Sequence, residues 1–306
     1  MIEQTDTAAL TLPPNPARRP VYEDLLDFLR DPVAAVAAFV FLVIIMLAIA
    51  APWIAPQNPY DLASLNILNS GLPPGSSSLT GGVYLLGTDS QGRDLLSAML
   101  YGLGISLAVP FASVLIALVV GVTVGLVAAY SGGRLDTLLM RLVDFQLGFP
   151  PVLLALVILA VSGPGLGKTT LALATAYWAV FARLVRGAAQ SERQKEYVVA
   201  ARCLAIPAHR IMFRHILPNV ISPLIVVGAL EWGACVSLEA TLSFLGLGSP
   251  ITRPSLGMLI ANGLSYIMAG RYWVSIYPGI LLMSVVLCIN ILGDRLRECL
   301  NPRFKA

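Results

Sequence analysis

Residues 33–51 read VAAVAAFVFLVIIMLAIAA, an apolar run of 19 residues that contains no charged side chain. A bilayer core about 30 Å thick needs about 20 mostly apolar residues to be crossed by a helix. A cleaved signal peptide normally has a shorter leader and an apolar core of about 7–15 residues. The run therefore predicts an uncleaved first membrane-spanning helix.

The composition of the whole chain is that of a membrane protein. Of its 306 residues 57% are hydrophobic and 12% are charged, and the mean hydropathy is +0.79. Soluble domains carry about 25% charged residues. A net charge of +3 is too small to indicate a nucleic acid partner. We therefore predict an all-α, polytopic membrane fold.

The remaining apolar segments predict six membrane spans in all. An even number of spans puts both chain termini on the same side, which we take as the cytoplasm. Sixteen of the twenty Lys and Arg residues then lie inside, as the positive-inside rule expects. The predicted spans are 33–51, 103–130, 142–162, 166–185, 219–245 and 273–293.

Residues 162–170, SGPGLGKTT, resemble the phosphate-binding pattern G-x-x-x-x-G-K-[ST]. Gly167, Lys168 and Thr169 fit the pattern, but Ser162 stands where its first glycine belongs. The predicted orientation puts this stretch on the outer surface, where there is no ATP. No alternation of strands and helices surrounds it either. We predict a turn between the third and fourth spans, and a P-loop ATPase remains a minor alternative.

The longest inner polar segment, 183–219, predicts two short helices at about 191–204 and 208–217, broken at Pro207. On its residues alone this segment is either a solvated basic loop or a helical projection that inserts into a groove of a cytoplasmic partner.

Four motifs in the same order resemble one family. The inner loop is similar to E-A-A-x₃-G-x₉-I-x-L-P and, in a fuller form, to E-Y-V-x-A-A-R-x-L. Other stretches resemble L-G-T-D-x-x-G-R-D at 86–94, L-S-F-L-G-L-G at 242–248 and N-L-L-G-D-x-L-R-D-x-L-D-P-R at 290–303. These are motifs of the inner-membrane permease subunits of ATP-binding cassette importers, in the branch for dipeptides, oligopeptides, glutathione or nickel. The matching residues of the inner loop, with Ala205 at the position of the motif glycine, are Glu196, Tyr197, Ala200, Ala201, Arg202, Leu204, Ala205, Pro207, Leu217 and Pro218.

The inner loop departs from the motif at two positions. Val199 replaces the glutamate of E-A-A, and Ala205 replaces the glycine. Alanine disfavours a left-handed turn by roughly 1–2 kcal/mol. We therefore expect Pro207 to shape the turn instead, and Glu196 to make the charged contact with a partner.

The resemblance implies the type I ABC importer permease fold in the bacterial inner membrane. It implies a transport subunit without catalytic residues, which moves peptides and binds no cofactor itself. The implied partners are a second homologous permease, two ATPase subunits that use ATP and Mg, a solute-binding protein outside, and the bilayer. The implied parts are a cytoplasmic segment 1–32, the first helix 33–54, an outer segment 55–97, a permease core 98–295 containing the coupling loop 186–218, and a tail 296–306.

Several residues outside the coupling loop are candidates for function. Glu231 and Glu239 interrupt the fifth span, where ionisable groups are costly and often functional. Glu231 either lines the pathway or is a protonated or paired glutamate at the subunit interface, whereas a structural hydrogen-bonding role is favoured for Glu239. Arg93 and Asp94, at the outer mouth, either cap the second span or contact the binding protein, and Asp89 belongs to the same outer-mouth motif.

Two further interpretations come from the spans. Gly121 and Gly125 form a G-x-x-x-G pattern that predicts close helix packing. A self-sufficient secondary carrier is the alternative to an importer subunit, but the two halves of the chain show no convincing internal repeat.

Overall fold

The computed structural model describes residues 31–61, 65–77 and 82–300. The predicted cytoplasmic segment 1–32 and tail 296–306 fall largely outside these residues. Within them the fold is α-helical, apart from a small hairpin in the outer segment. The elements are α1 (Pro32–Ile54), a 3₁₀ turn (Ile67–Asn69), β1 (Ser76–Ser77), β2 (Val83–Tyr84), α2 (Leu95–Ser131), α3 (Gly133–Leu147), α4 (Pro151–Ser162), α5 (Leu166–Arg193), α6 (Glu196–Cys203), α7 (Ala208–Arg210), a π-helix (Ile211–Ile216), α8 (Leu217–Phe244), α9 (Leu256–Ile267) and α10 (Trp273–Leu300).

Helix α1 contains the apolar run and begins at a capped end. The Asp31 carboxylate accepts a hydrogen bond from the Val33 N–H at 3.0 Å, and Pro32 occupies the first helical position. Aspartate as a cap and proline at the start both favour helix initiation. The 3.8 Å ion pair between Asp31 and Arg295 brings the start of α1 and the end of α10 to the same side, as an even number of spans requires.

Four helices in the described residues are long and apolar enough to cross a membrane: α1, α2, the continuous segment 208–244, and α10. Helices α3 and α4 supply a fifth span only if they count as one, because they meet at an angle of 86°. Helix α5 does not qualify, since Lys168, Arg183 and Arg186 interrupt its apolar sequence. Length and composition thus support four or five spans, and the count of six stays a prediction.

The predicted third span, 142–162, is wrong as a single helix. Helix α3 ends at Leu147 and α4 begins at Pro151. Proline lacks an N–H and disfavours the helical conformation in the residue before it. The pair Pro150–Pro151 therefore breaks the segment, and its first residues belong to α3.

Helix α9 was not predicted, because its twelve residues lie in a segment assigned to the outer loop. It packs closely between α8 and α10. A Cβ added at Gly257 would lie 2.4 Å from the carbonyl oxygen of Ala240, and one at Gly263 would lie 2.6 Å from the Ser275 nitrogen. Glycine at both positions lets the backbones of α8, α9 and α10 approach each other.

The apolar interior has two main parts. One joins α2, α4, α5, α6, the π-helix and α8 around residues such as Phe181. The other joins α1, α2, α8, α9 and α10 around Trp273 and Val236. Helices α2 and α8 contribute to both parts, so they connect the inner loop to the outer segment.

Candidate functional site

Helix α6 is the centre of the predicted coupling loop, and it has a buried side and an exposed side. Val198 and Ala201 are buried in the same apolar cluster as Ile211 of the π-helix. Glu196 and Val199 point outward, and Leu204 is 75% exposed. The helix therefore presents one acidic and several apolar side chains away from the membrane helices that hold it.

Tyr197 ties α6 to its neighbours through its hydroxyl group. The hydroxyl donates to the Glu192 carboxylate at the end of α5 and accepts from the Asn219 side-chain amide of α8 at 3.1 Å. Glu192 also forms an ion pair with Lys195 at 2.7 Å. Three helix ends therefore meet at one tyrosine.

The electrostatics of this junction favour a charged glutamate and a neutral tyrosine. Burial opposes the ionisation of Glu192, but the hydrogen bonds from Lys195 and Tyr197 hold its pKa below the ordinary value. Burial, together with the hydrogen bond to Glu192, raises the pKa of Tyr197 to about 12. The tyrosine therefore acts as a hydrogen-bond donor at physiological pH.

The turn after α6 corrects the expectation about Pro207. Ala205 itself adopts the left-handed conformation, with φ of +53°, the one positive φ outside glycine in the described parts of the chain. The N–H of Ile206 bonds to the Ala201 carbonyl at 3.2 Å, and that of Ala205 to the Arg202 carbonyl at 2.9 Å. These two bonds form a Schellman motif, which holds alanine in a conformation that suits glycine.

The second predicted inner helix, 208–217, is not a regular α-helix. It begins as α7 and continues as a π-helix over Ile211–Ile216. Ile211 and Ile216 are both buried, although residues five apart in an α-helix point about 140° apart. The wider π-helix turns both side chains toward the core.

A cation–π contact joins α6 to the end of α2. The guanidinium carbon of Arg202 lies 5.1 Å from the centre of the Tyr130 ring, and that of Arg193 lies 6.0 Å from the same ring. Arg193 also donates to the Ala129 carbonyl at 2.8 Å. Sequence reasoning missed Tyr130, because nothing local to α2 indicates that its last turn meets the coupling loop.

At the outer mouth, Asp94 caps α2. Its carboxylate accepts from the Ser97 N–H at 2.8 Å and from the Ser97 hydroxyl at 2.5 Å. The geometry supports the capping alternative for this residue.

Asp89 and Arg93 are almost fully enclosed, with 1% and 0% of their surface exposed, so neither is available to a docking protein. Arg93 donates to the Ile251 carbonyl at 3.0 Å, which fastens the start of α2 to the loop after α8. Burial raises the pKa of Asp89 and lowers that of Arg93.

The two glutamates of α8 have different surroundings. Glu239 is 1% exposed and its carboxylate accepts a hydrogen bond from the Ser243 hydroxyl at 2.6 Å. Glu231 is half-buried, and within the described residues its carboxylate makes neither a hydrogen bond nor an ion pair. The predicted pathway role of either residue stays a prediction.

A turn joins α4 and α5, as predicted, but it comprises only residues 163–165, because 166–170 already belong to α5. The residues before the turn are helical rather than a strand, and Lys168 of α5 donates to the carbonyl of Ser162 across it. Gly165 donates its N–H to the Gly248 carbonyl at 3.1 Å. The turn therefore packs against the loop after α8.

Comparisons with known proteins agree with the motifs. Residues 121–306 match the family model for the binding-protein-dependent transport system inner membrane component. Residues 25–74 match the model for the N-terminal TM domain of oligopeptide transport permease C. The second match extends the family likeness into a part of the chain where the motifs gave none.

Two relatives cover nearly the whole chain. The di/tripeptide transport system permease protein DppC of Pseudomonas aeruginosa is 38% identical over 94% of this chain and 93% of its own length. The glutathione transport system permease protein GsiD of Pectobacterium atrosepticum is 36% identical over 94% of this chain and 93% of its own.

A solved structure shares the fold. A chain of the MetNI methionine ABC transporter, in an inward-facing conformation, matches with a TM-score of 0.54 over 66% of this chain and 96% of that chain. The sequence identity of this match is 20%. The chain belongs to the family of binding-protein-dependent transport system inner membrane components, and it is a multi-pass membrane protein with the fold of an ABC importer permease.

Proposed function

We propose that this chain is the permease subunit of an importer that carries di- or oligopeptides across the bacterial inner membrane. A solute-binding protein delivers the peptide from outside, and two separate ATPase subunits bind ATP and Mg inside. A second homologous permease completes the pathway. The chain itself binds no cofactor and catalyses no reaction. The names of its relatives support the substrate class.

The exposed face of α6 is the observation that best supports a role in coupling the permease to the ATPase subunits. Glu196, Val199 and Leu204 project from a helix whose other side is buried against α5 and the π-helix. Such a face fits a groove on a cytoplasmic subunit. The attachment of α6 to the end of α5 and the start of α8 through Tyr197 supplies a rigid path by which ATPase closure moves the membrane helices.

The experiment is deletion of the gene in the source bacterium, followed by measurement of uptake of a labelled dipeptide. We expect uptake to be lost and then restored by the wild-type gene. Lys168→Ala should restore uptake fully, because Lys168 only closes the α4–α5 turn. Undiminished uptake in the deletion strain would contradict the peptide substrate. If Lys168→Ala did not restore uptake, the result would support the alternative of a P-loop ATPase.

The coupling role needs a second measurement on the same strains. Leu204→Asp and Glu196→Lys alter exposed positions, so the fold should persist while uptake falls at least about tenfold, the rate equivalent of about 1.4 kcal/mol. Glu298→Lys is the control, since this acid is also exposed and lies near the inner end of α10. Equal uptake in all three variants would remove the assigned role of α6.

The alternative that the chain is a self-sufficient secondary carrier predicts a different result. The purified chain, reconstituted alone, would then accumulate dipeptide under an ion gradient. We expect no accumulation without the ATPase subunits and ATP.

A further inference from the structure

Helix α1 is attached to the rest of the protein along one narrow seam. Most of its 23 residues are at least partly exposed, and the buried ones are Ala34, Ala37, Ile44 and Ala51. Ile44 packs in the same apolar cluster as Val285 and Ile289 of α10. A seam this narrow leaves the sides of α1 next to it uncovered by the described residues.

A groove runs beside this seam, between the first turns of α1 and the second half of α10. Its volume is about 490 Å³. Small side chains form its floor, since Ala37 and Cys288 line the groove and are 4% and 5% exposed. Larger side chains form its rims, since Val36 and Leu287 line it and are 63% and 52% exposed. The small floor residues therefore open a space that larger side chains at these positions would close.

The groove is apolar and lies at bilayer depth. Among the described residues that line it, Ser284 carries the one hydroxyl, and that hydroxyl donates to the Ile280 carbonyl of its own helix at 2.8 Å. From Pro32 to Val40 the groove follows α1 for about 12 Å, at 1.5 Å per residue. One leaflet of a bilayer core about 30 Å thick is about 15 Å deep. The groove therefore extends through most of the leaflet on the Asp31 side.

The shape of the groove suits a lipid chain better than a second helix. Helices in membranes pack through small residues that let their backbones approach. This chain packs α2 on α5 in that way, since a Cβ added at Gly121 would lie 2.5 Å from the Trp178 carbonyl oxygen. The groove has the opposite arrangement, with branched side chains at the rims and small residues at the floor. A flexible acyl chain can enter between such rims, whereas a helix backbone is held away from the floor.

The charges at the Asp31 end of the groove already pair with one another. Arg295 and Glu298 follow Ile291 of the groove by four and seven residues, so they lie on the same face of α10. Arg295 donates to the Glu298 carboxylate at 2.7 Å and forms an ion pair with Asp31 at 3.8 Å. The groove is therefore suited to recognise an acyl chain rather than the charge of a headgroup.

We propose that one acyl chain of a membrane phospholipid occupies this groove and fastens α1 to α10. An unfilled space would leave the floor at Ala37 and Cys288 without partner atoms on one side, and the dispersion attraction there would be lost. The lipid is then a fixed part of the fold, distinct from the lipid that exchanges around the protein. The site is independent of which solute the importer carries.

The test uses the full chain, with the subunits that copurify, in nanodiscs of phosphatidylethanolamine that contain a phospholipid with a photoactivatable diazirine in mid-chain. The complex is transferred into detergent that removes loosely held lipid and is then irradiated, and mass spectrometry locates the adducts. We expect about one adduct per chain, on residues 33–40 and 284–291, at least about tenfold above the adducts around Val119, an exposed residue of α2. Phosphatidylglycerol with the same diazirine chain should label the groove to within about twofold.

Ser284→Phe is the decisive variant, because Ser284 lines the groove and its hydroxyl bonds within its own helix. The ring fills the groove, so adducts on 33–40 should fall at least about fivefold. Added phospholipid should raise the melting temperature of the wild type in detergent by several degrees, because a ligand that binds only the folded state stabilises it. The rise should be smaller for Ser284→Phe. Val119→Phe should behave like the wild type in both measurements.

Three outcomes would each overturn the proposal: adducts no more abundant in the groove than around Val119, adducts that persist in Ser284→Phe, or a tenfold preference for one headgroup. Ser284→Leu covers the case in which the phenylalanine variant does not fold. Its smaller side chain fills less of the groove, so it should reduce the adducts by an intermediate amount, and unchanged labelling in this variant would equally contradict the site.

Discussion

The hydroxyl of Tyr197 donates a hydrogen bond to the carboxylate of Glu192, across the break between α5 and α6. Because Asn219 donates to the same hydroxyl at 3.1 Å, this contact also reaches the start of α8. Helix α6 is therefore held by polar contacts at its first turn and by apolar burial of Val198 and Ala201 along its length.

Tyr197→Phe should loosen α6 while leaving the membrane helices intact. The variant loses both hydrogen bonds of the hydroxyl, each worth about 1 kcal/mol, so backbone amides of α6 should exchange with deuterated solvent at least about fivefold faster. Hydrogen-exchange mass spectrometry measures this directly. Tyr272→Phe is the control, because Tyr272 is exposed and its hydroxyl makes no hydrogen bond to the described residues. Equal exchange in both variants would argue against the tether.

Ala205→Gly should stabilise the protein. Ala205 has a φ of +53°, a conformation that costs an alanine roughly 1–2 kcal/mol and that glycine adopts freely. The melting temperature of the purified chain should therefore rise by about 2 °C or more. Ala200→Gly, in the middle of α6, should lower it, since glycine costs about 1 kcal/mol inside a helix. A loss of stability in both variants would contradict the Schellman turn.

Gly125→Ala should separate α2 from α5. A Cβ at this position would lie 2.6 Å from the Ala182 carbonyl oxygen and 2.8 Å from the Cβ of Val185. Overpacking of this kind costs about 1–3 kcal/mol, and thermal unfolding in detergent should show it. Gly187→Ala on the exposed side of α5 meets no atom within 4 Å, so it should be neutral or slightly stabilising. If both variants unfold alike, close packing at Gly125 is not the cause.

Two ion pairs between α3 and α5 should contribute unequally to the free energy of unfolding. Arg186 holds Asp136 with two parallel hydrogen bonds of 2.7 Å, whereas Arg183 and Asp144 have side chains 56% and 63% exposed. Arg186→Lys breaks the two-bond geometry and should cost about 1.5–3 kcal/mol.

Arg183→Lys should cost less than about 1 kcal/mol, as exposed pairs do. Chemical denaturation of the two variants compares them directly. Similar losses in both would mean that burial and bidentate geometry contribute nothing at Arg186.

Much of this protein could be predicted from local sequence. Hydropathy identified α1, α2, α8 and α10, because an apolar run of sufficient length is stable mainly as a helix that spans a membrane. The distribution of Lys and Arg predicts the orientation, and the Asp31–Arg295 contact puts the start of α1 and the end of α10 on the same side. The motifs around Glu196 indicated the family, which the comparisons confirm.

The errors arose where chain geometry depends on distant residues. The break before α4 follows from Pro150–Pro151, but the 86° bend depends on how α3 packs against α5. Helix α9 is too short to be predicted as a span from hydropathy, and its position between α8 and α10 is apparent only in the tertiary structure. Ala205 adopts a left-handed conformation that alanine normally avoids at a cost of roughly 1–2 kcal/mol. Two backbone hydrogen bonds of the turn outweigh this cost.

The sequence alone determined what depends on composition and spacing along the chain: the membrane environment and the family. It also predicts the orientation and a loop that faces the cytoplasm. Only the tertiary structure decided which polar groups share one enclosed space. Ser106 lies far from Glu239 in the sequence, and Tyr130 lies far from Arg202, yet each pair is in contact. Hydrophobic burial is nearly non-directional and can be read from local pattern, whereas hydrogen bonds and cation–π contacts need partners positioned to within tenths of an ångström by the whole fold.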